Sequence, residues 1–195
     1  MNNNTLIRNK LAIFDLDGTL FDTKNVNYAA YSQAMKECGI SYEIDYQYYC
    51  KFCNGNSYKV FLPQIVPGIS DVDMQKIHEA KNRIYKNFLG KAKKNIHLFS
   101  IINLMKEQYQ IAIVTTASRV NTEDILYFFD AKDVFDFIIT QEDVERTKPA
   151  PDGFIQAMNK ADVSAEDTII FEDSEAGLEA AAASGAKYVK IYGYN

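Results

Sequence analysis

Five short apolar segments, separated by longer helical patterns, constrain the fold of this chain more than any other feature. Each is bounded by polar or turn residues, and they cover residues 11–14, 111–115, 137–140, 168–171 and 188–191. Short apolar runs that stop abruptly are typical of buried strands. From residue 96 onward they alternate with helical patterns at residues 97–107, 121–129, 152–161 and 174–184. This alternation predicts an α/β fold, a Rossmann-like doubly wound parallel sheet with helices on both faces.

Residues 23–90 interrupt the alternation, because they contain helical patterns and no convincing strand. The patterns cover residues 27–38, 45–53, 57–66 and 71–89. The insertion directly follows the first strand, so we expect it to emerge at the carboxyl edge of the sheet, where such sheets bind ligands. The sequence therefore predicts an α/β core of residues 1–22 and 91–195 and an inserted α-helical cap domain of residues 23–90.

Charge and hydropathy exclude several classes of partner. The 195 residues include 21 Lys and Arg against 26 Asp and Glu, a net charge of −5, so no positive field exists to hold a nucleic-acid backbone. No apolar run approaches the roughly 20 residues of a membrane span. Residues 1–5 are polar, where a signal peptide would need an apolar core. We therefore expect a cytoplasmic protein that binds neither nucleic acid nor membrane, as a monomer or weak dimer.

Two carboxylates, Asp15 and Asp17, stand where the first predicted strand ends. In an extended segment residues i and i+2 share a face. Two adjacent carboxylates repel each other unless a cation lies beside them or the two have different roles. One can act as a nucleophile that forms an aspartyl-phosphate while the other moves protons. Gly18 then allows a sharp turn beside a ligand. Taken alone, the pair is equally explained as a strand-end cap.

A second pair of acids, Glu172 and Asp173, follows the predicted strand at residues 168–171. If that strand lies beside the first, Asp173 joins Asp15 in one cluster of oxygen ligands, which suits Mg²⁺. The predicted strand at residues 111–115 ends in Thr115 and Thr116, whose hydroxyls can donate hydrogen bonds to phosphate.

Lys148 lies between an acidic loop and two prolines. A fixed lysine can neutralise charge that develops on a transferred phosphoryl group. Each of these signals is weak alone, and Lys148 by itself is more often a surface residue.

In the order Asp-x-Asp-Gly-Thr, Thr, Lys and Glu-Asp, these segments make the sequence similar to the haloacid dehalogenase superfamily. The resemblance is to the branch with a small helical cap between the first and second motifs, which includes phosphoglycolate phosphatases and β-phosphoglucomutases. It implies that Asp15 is the nucleophile and Asp17 the general acid/base. It also implies that Thr115 binds phosphate and that Lys148 is the lysine of the third motif.

The resemblance further implies a Mg²⁺ cofactor, held by Asp15, Asp17, Glu172 and Asp173. In the case of Asp17 the backbone carbonyl is the expected ligand. Backbone amides near Leu16 and Thr116 are expected to contact the phosphate. In the cap, Asn54, Asn56 and Lys59 are the candidates for substrate contact, because polar groups on a loop can orient a hydroxylated leaving group.

Three activities remain open within the resemblance. Phosphomutases of the branch carry a His in the first cap helix and an Arg beside a Gly-containing loop, whereas this chain has Asn27 and no Arg in residues 55–58. Thr19 follows Gly18, as in the phosphatases. We expect a Mg²⁺-dependent phosphatase that hydrolyses a small phosphorylated metabolite, of sugar phosphate, phosphoglycolate or nucleotide type, through an aspartyl-phosphate. A β-phosphoglucomutase-like sugar phosphomutase is the alternative, and a catalytically idle phosphate-binding regulator the third.

The predicted cap is rich in aromatic residues: Tyr42, Tyr46, Tyr48, Tyr49, Phe52 and Tyr58. They could form an aromatic wall over a sugar or nucleotide. We interpret most of them instead as core residues of the cap, because a helical insertion must bury some apolar surface.

Overall fold

The computed structural model of this chain describes residues 8–192. It divides into two compact units. The first, called the core unit, comprises the described residues up to Asp22 and those from Lys94 onward; the second, called the helical unit, is Thr23–Lys93. The polar segment of residues 1–5, used above to argue against a signal peptide, lies outside the described residues.

The secondary structure contains the five predicted strands and, in addition, two strands of two residues each, β2 and β3, which were not predicted. The strands are β1 (Lys10–Phe14), β2 (Phe21–Asp22), β3 (Lys93–Lys94), β4 (Tyr109–Val114), β5 (Phe137–Ile139), β6 (Thr168–Glu172) and β7 (Lys187–Lys190). The α-helices are α1 (Lys24–Glu37), α2 (Tyr46–Tyr48), α3 (Tyr58–Ile65), α4 (Asp71–Ile84), α5 (Ile96–Met105), α6 (Arg119–Phe128), α7 (Asp152–Ala161) and α8 (Glu175–Ser184). A π-helical turn occupies Tyr49–Cys53, and 3₁₀ segments occupy Tyr85–Lys91, Lys132–Val134, Gln141–Asp143 and Ala165–Asp167. Within residues 8–192, none of the helices has the length and apolar character needed to cross a membrane.

A parallel sheet organises the core unit. Its strand order is β5-β4-β1-β6-β7. In the central strand β1, Phe14 pairs with Ile113 of β4 on one side and with Phe171 of β6 on the other. The residues that follow these strands therefore emerge at the same edge. This arrangement confirms the predicted α/β fold class, and each predicted strand and helix of the core lies within two residues of its observed bounds.

The two faces of the sheet are covered by different side chains. Leu11 and Ile13 of β1 lie on one face and are fully buried in a cluster with α7 and α8 residues: Phe154, Ala157, Met158, Ala180 and Ala181. The small alanine side chains allow α8 to approach the sheet closely. Because side chains alternate along a strand, Phe14 points to the opposite face, where its ring stacks on Phe171 at 4.5 Å between centroids. Burial on both faces fixes the ends of β1 and β6 relative to each other.

The helical unit has its own apolar core. Residues of α1, α3 and α4 contribute most of it, among them Ala30, Ala34, Met35, Leu62 and Ile77. The interpretation that most of the aromatic residues pack this core is wrong, although Tyr49 is buried there. Tyr42, Tyr46, Tyr48 and Phe52 are exposed. The physical reason is that side chains of α1, α3 and α4, including the aromatic Tyr31 and Phe61, already fill most of the interior, so that residues 46–53 contribute only Tyr49 and Cys53 to it.

A carboxylate secures the first described residues to the sheet. Asp136, just before β5, accepts hydrogen bonds from the Ile111 amide at 2.7 Å and from the Arg8 guanidinium at 2.7 and 2.9 Å. Burial raises the pKa of Asp136, but the bonds from Arg8 and Ile111 outweigh it and hold the pKa below its ordinary value. A carboxyl group with a lowered pKa stabilises the fold above its unfolded pKa and loses that effect as the pH falls through its folded pKa.

We therefore expect Asp136→Asn to lower the free energy of unfolding by about 1 kcal/mol at pH 7, since the pair with Arg8 is partly exposed. Urea unfolding of the variant and the wild type should converge as the pH falls below the ordinary aspartate pKa of about 4 and then through the lower pKa of the folded protein. Asp133→Asn, at a nearby exposed position, is the control and should change little. A difference between Asp136→Asn and wild type that is constant with pH would contradict this account.

Candidate active site

Asp15 lies at the carboxyl edge of the sheet, one residue beyond β1. Its amide donates to the Phe171 carbonyl at 3.0 Å, which continues the pairing with β6 by one residue. The residue is 6% exposed. Its side chain is therefore fixed by the sheet rather than by a mobile loop.

Lys148 joins the ends of three strands. Its Nζ donates to Asp15 Oδ1 at 2.6 Å, to Glu172 Oε1 at 2.6 Å and to the Val114 carbonyl at 3.0 Å. An ammonium has three N–H donors, so these acceptors account for all of them. Burial lowers the pKa of Lys148, but the carboxylates of Asp15 and Glu172 outweigh burial and raise it above its ordinary value. The lysine therefore keeps its positive charge at neutral pH.

Glu172, the last residue of β6, is fully buried, and both of its carboxylate oxygens accept hydrogen bonds. Oε1 accepts from Lys148, and Oε2 accepts from the Ser174 amide at 2.8 Å and the Ser174 hydroxyl at 3.1 Å. The same hydroxyl accepts from the Gly177 amide at 3.1 Å and caps α8. A Cβ atom at Gly177 would lie 1.8 Å from Glu172 Oε1, so this position excludes any side chain.

Asp173 faces the turn after β1. The Thr19 hydroxyl donates to Asp173 Oδ1 at 2.9 Å. Gly18 has a φ of 93°, and a Cβ there would lie 2.1 Å from Asp173 Oδ2. The pKa of Asp173 is raised to about 6, mainly by burial and also by the carboxylates of Glu172 and Asp17, against the opposing effect of the Thr19 hydrogen bond. The turn and the second acidic pair are therefore in direct contact.

The three carboxylates of Asp15, Glu172 and Asp173 can each offer an oxygen within 4.8 Å of the others. Burial raises the pKa of Asp15, and the other two acids raise it further, while Lys148 opposes them. Three acids beside one lysine leave an excess of negative charge, and the donors are all hard oxygens, so the group fits a Mg²⁺ ion. Both Glu172 oxygens already accept hydrogen bonds. In the described part of the chain no donor is bonded to Oδ2 of Asp15 or Asp173, which makes these two the better candidates for direct ligands.

The remaining predicted residues of the core unit lie around this group. Thr115 is buried; its amide donates to the Ile139 carbonyl at 3.0 Å and its hydroxyl accepts from the Ala117 amide at 3.0 Å. Thr115, the exposed Thr116 and Lys148 line one pocket. Their contacts with phosphate stay a prediction.

Leu16 and Asp17 form the turn after Asp15. The buried Leu16 accepts at its carbonyl from the amides of Leu20 and Phe21, at 3.1 and 3.0 Å. Asp17 is partly exposed, and its carboxylate is not one of the three grouped acids, although its charge acts on Asp173. Its roles in proton transfer and, through its backbone carbonyl, in metal binding stay predictions.

Asn54, Asn56 and Lys59 belong to the helical unit, where all three are exposed. Asn56 donates from its side chain to the Phe52 carbonyl at 3.0 Å, and the Lys59 ammonium lies 5.9 Å from the Tyr58 ring centroid. Their contact with substrate stays a prediction.

Two contacts in the site were not predicted from the sequence. One is the contact of Thr19 with Asp173, and the other is that of Gly177 with Glu172, whose carboxylate occupies the space of a side chain at position 177. The signal for Gly177 was available, because an isolated glycine in an alanine-rich helical segment usually has a packing reason. Thr19 was noted in the sequence only as the last residue of the Asp-x-Asp-Gly-Thr motif, which gives no sign of its contact with Asp173.

Comparison with known proteins identifies a family and several relatives. The family model described as haloacid dehalogenase-like hydrolase matches residues 12–191. Protein CbbY of Rhodobacter capsulatus is 27% identical over 190 residues, which cover 92% of this chain and 84% of that protein. The phosphorylated carbohydrates phosphatase of Thermotoga maritima is 26% identical over 187 residues, covering 93% and 83%. Fructose-1-phosphate phosphatase YqaB of Escherichia coli is 24% identical over 179 residues, covering 92% and 94%.

Solved structures share the fold. The crystal structure of CbbY from Rhodobacter sphaeroides in complex with phosphate matches with a TM-score of 0.84 at 24% identity, over 95% of this chain and 87% of that one. A mutant of the same protein in complex with xylulose 1,5-bisphosphate matches with a TM-score of 0.80 at 23% identity, with the same coverage.

The contact between Gly177 and Glu172 leads to a stability prediction. Replacing glycine by alanine inside a helix normally stabilises it by about 1 kcal/mol. We expect Gly177→Ala instead to lower the free energy of unfolding by about 1–3 kcal/mol, because the methyl group must displace the buried carboxylate. Thermal and urea unfolding measure the change. Gly90→Ala is the matched control, since among residues 8–192 no atom beyond its chain neighbours lies within 4 Å of the added Cβ there. A Gly177→Ala variant as stable as wild type would contradict the tight packing.

Proposed function

This chain belongs to the haloacid dehalogenase-like hydrolase family and is a phosphoric monoester hydrolase, and we propose that it removes phosphate from a small phosphorylated carbohydrate. The observation that carries the proposal is the placement of Lys148 between Asp15 and Glu172, at 2.6 Å from each, beside Asp173. A fixed cation next to a buried carboxylate is the arrangement that phosphoryl transfer through an enzyme carboxylate requires. Relatives named for activity on phosphorylated carbohydrates and fructose 1-phosphate support the substrate class.

In the proposed reaction a carboxylate oxygen of Asp15 attacks the phosphorus, while the Lys148 ammonium holds the carboxylate in place. The bond from phosphorus to the substrate oxygen breaks as the aspartyl-phosphate forms, and Asp17 gives its proton to the departing oxygen. Asp17 then takes a proton from a water molecule that attacks the aspartyl-phosphate, which releases inorganic phosphate and restores Asp15. One carboxyl group therefore serves as the acid in the first step and as the base in the second.

The remaining residues of the core unit bind the phosphoryl group. The hydroxyl of Thr115 and the amides near Leu16 and Thr116 donate hydrogen bonds to its oxygens, and Lys148 neutralises part of the charge that develops on them. Asp15, Asp173 and the backbone carbonyl of Asp17 would hold Mg²⁺, and Glu172 would add to the negative charge around it. When bound, Mg²⁺ reduces the repulsion between the attacking carboxylate and the anionic substrate.

The sugar phosphomutase alternative is not favoured. Asn27 stands where the phosphomutases of this branch have a His, and the relatives reported above with an activity in their names are phosphatases. A catalytically idle regulator would not need Asp15, Asp17 and Lys148 together. Phosphate release therefore remains the function that the site supports best.

Phosphate release should be measured with Mg²⁺ on a panel of sugar phosphates, phosphoglycolate and nucleotides, beside an assay for conversion of β-glucose 1-phosphate to glucose 6-phosphate. We expect selective release from sugar phosphates. Asp15→Asn should reduce kcat by on the order of 10³-fold or more, because the nucleophile is lost. Asp17→Asn should reduce kcat strongly with a smaller effect on KM.

The exposed Asp133→Asn is the control for both variants and should keep wild-type kcat. Isomerisation without net phosphate release would overturn the proposal in favour of a mutase. Full activity in Asp15→Asn would show that Asp15 is not the nucleophile.

A further inference from the structure

Two acidic residues outside the catalytic group contact the start of α6. Glu142, in the 3₁₀ segment after β5, accepts a hydrogen bond from the Arg119 amide on both carboxylate oxygens, at 3.1 and 3.2 Å. Arg119 is the first residue of α6, where a backbone amide has no partner within the helix. Glu142 therefore completes the helix terminus from a separate segment of the chain.

Asp143 holds the side chain of the same arginine. The Arg119 guanidinium donates from Nη2 to Asp143 Oδ2. That oxygen also accepts from the Thr140 amide at 2.8 Å and the Thr140 hydroxyl at 3.0 Å. Burial raises the pKa values of Glu142 and Asp143, but their hydrogen bonds outweigh it and lower both, so the two acids are ionised at neutral pH.

The backbone joins the same two segments. The Thr115 amide donates to the Ile139 carbonyl at 3.0 Å, and the Gln141 amide donates to the Ala117 carbonyl at 3.4 Å. We call the contacts of Arg119 with Glu142 and Asp143 the Arg119 clasp. The clasp fastens the loop of residues 115–118, which carries the predicted phosphate donors, to the segment that leads on to Lys148.

We propose that Glu142 and Asp143 are positioning residues, which act through Arg119 to keep Thr115, Thr116 and Lys148 at the spacing that one phosphoryl group requires. This inference rests on the proposed function. Exposed ion pairs contribute little to global stability, and the Arg119 and Asp143 side chains are 42% and 29% exposed. Catalysis is far more sensitive, because a displacement of about 1 Å in the groups around a reacting centre can cost on the order of 10²-fold in rate.

The test compares Glu142→Gln, Asp143→Asn and Arg119→Met. Each should lower kcat by about 10- to 100-fold and leave the unfolding midpoint close to wild type. Arg119→Lys, which keeps the charge, should retain more kcat than Arg119→Met. The double variant Arg119→Met/Asp143→Asn should lose no more kcat than the worse single variant, since both changes break one contact.

Asp167→Asn is the matched control. Asp167 also lies in a 3₁₀ segment and accepts from the hydroxyl three residues before it, Ser164, at 3.5 Å. That segment precedes β6, at the opposite edge of the sheet from the site, so the variant should keep wild-type kcat. If kcat fell equally in Asp167→Asn and Asp143→Asn, the loss would reflect a general effect on folding rather than the clasp, and the proposal would be overturned.

Amide hydrogen exchange without substrate gives a readout that does not depend on turnover. Exchange in residues 115–119 should rise by about 10-fold or more in Asp143→Asn and stay at the wild-type rate in Asp167→Asn. A wild-type enzyme that releases no phosphate from any substrate would refute the proposed function. The exchange rates would then be the remaining test of whether the clasp holds residues 115–119 in place. Unchanged exchange, or full kcat in all three clasp variants, would overturn the inference.

Discussion

The contact of one buried ammonium with two buried carboxylates is the interaction on which the site depends. Lys148 meets Asp15 and Glu172 at 2.6 Å, and removing Lys148 would leave two buried carboxylates without their cation. The contact is possible only because β4, β1 and β6 are adjacent and parallel, so that their carboxyl ends meet at one edge. The order of the strands in the sheet therefore determines which residues can meet in the site.

The fold and the convergence of the acids could be predicted because they depend on patterns within short segments. Residues 11–14 and 168–171 are apolar runs that stop at an acid, and parallel strands bring such ends together. The prediction for the aromatic residues of the helical unit was wrong, because the sequence does not show which apolar side chains fill a small core first. Tyr49 is buried and Tyr46, three residues earlier, is exposed. That choice is made by packing between helices, not by composition.

The contacts that sequence reasoning missed involve segments far apart in the chain and depend on distances of a few tenths of an ångström. Thr19 reaches Asp173 across 154 residues, and position 18 requires glycine because the Asp173 carboxylate occupies the space that a Cβ would take. In the sequence, Glu142 and Asp143 resemble ordinary exposed loop acids, and only the structure shows their contacts with Arg119. Local patterns identify which residues can do chemistry, while tertiary contacts decide which of them are held in position to do it.

The central position of β1 has a consequence for the order in which the protein becomes functional during synthesis. β1 is made first, but its neighbour β6 and Lys148 follow more than a hundred residues later; the bond from Lys148 to Asp15 spans 133 positions. While the chain is being translated, Asp15 has neither its cation nor its companion acid. The ribosome-bound chain therefore stays without a complete site until β6 has emerged, and activity appears in one late step rather than gradually.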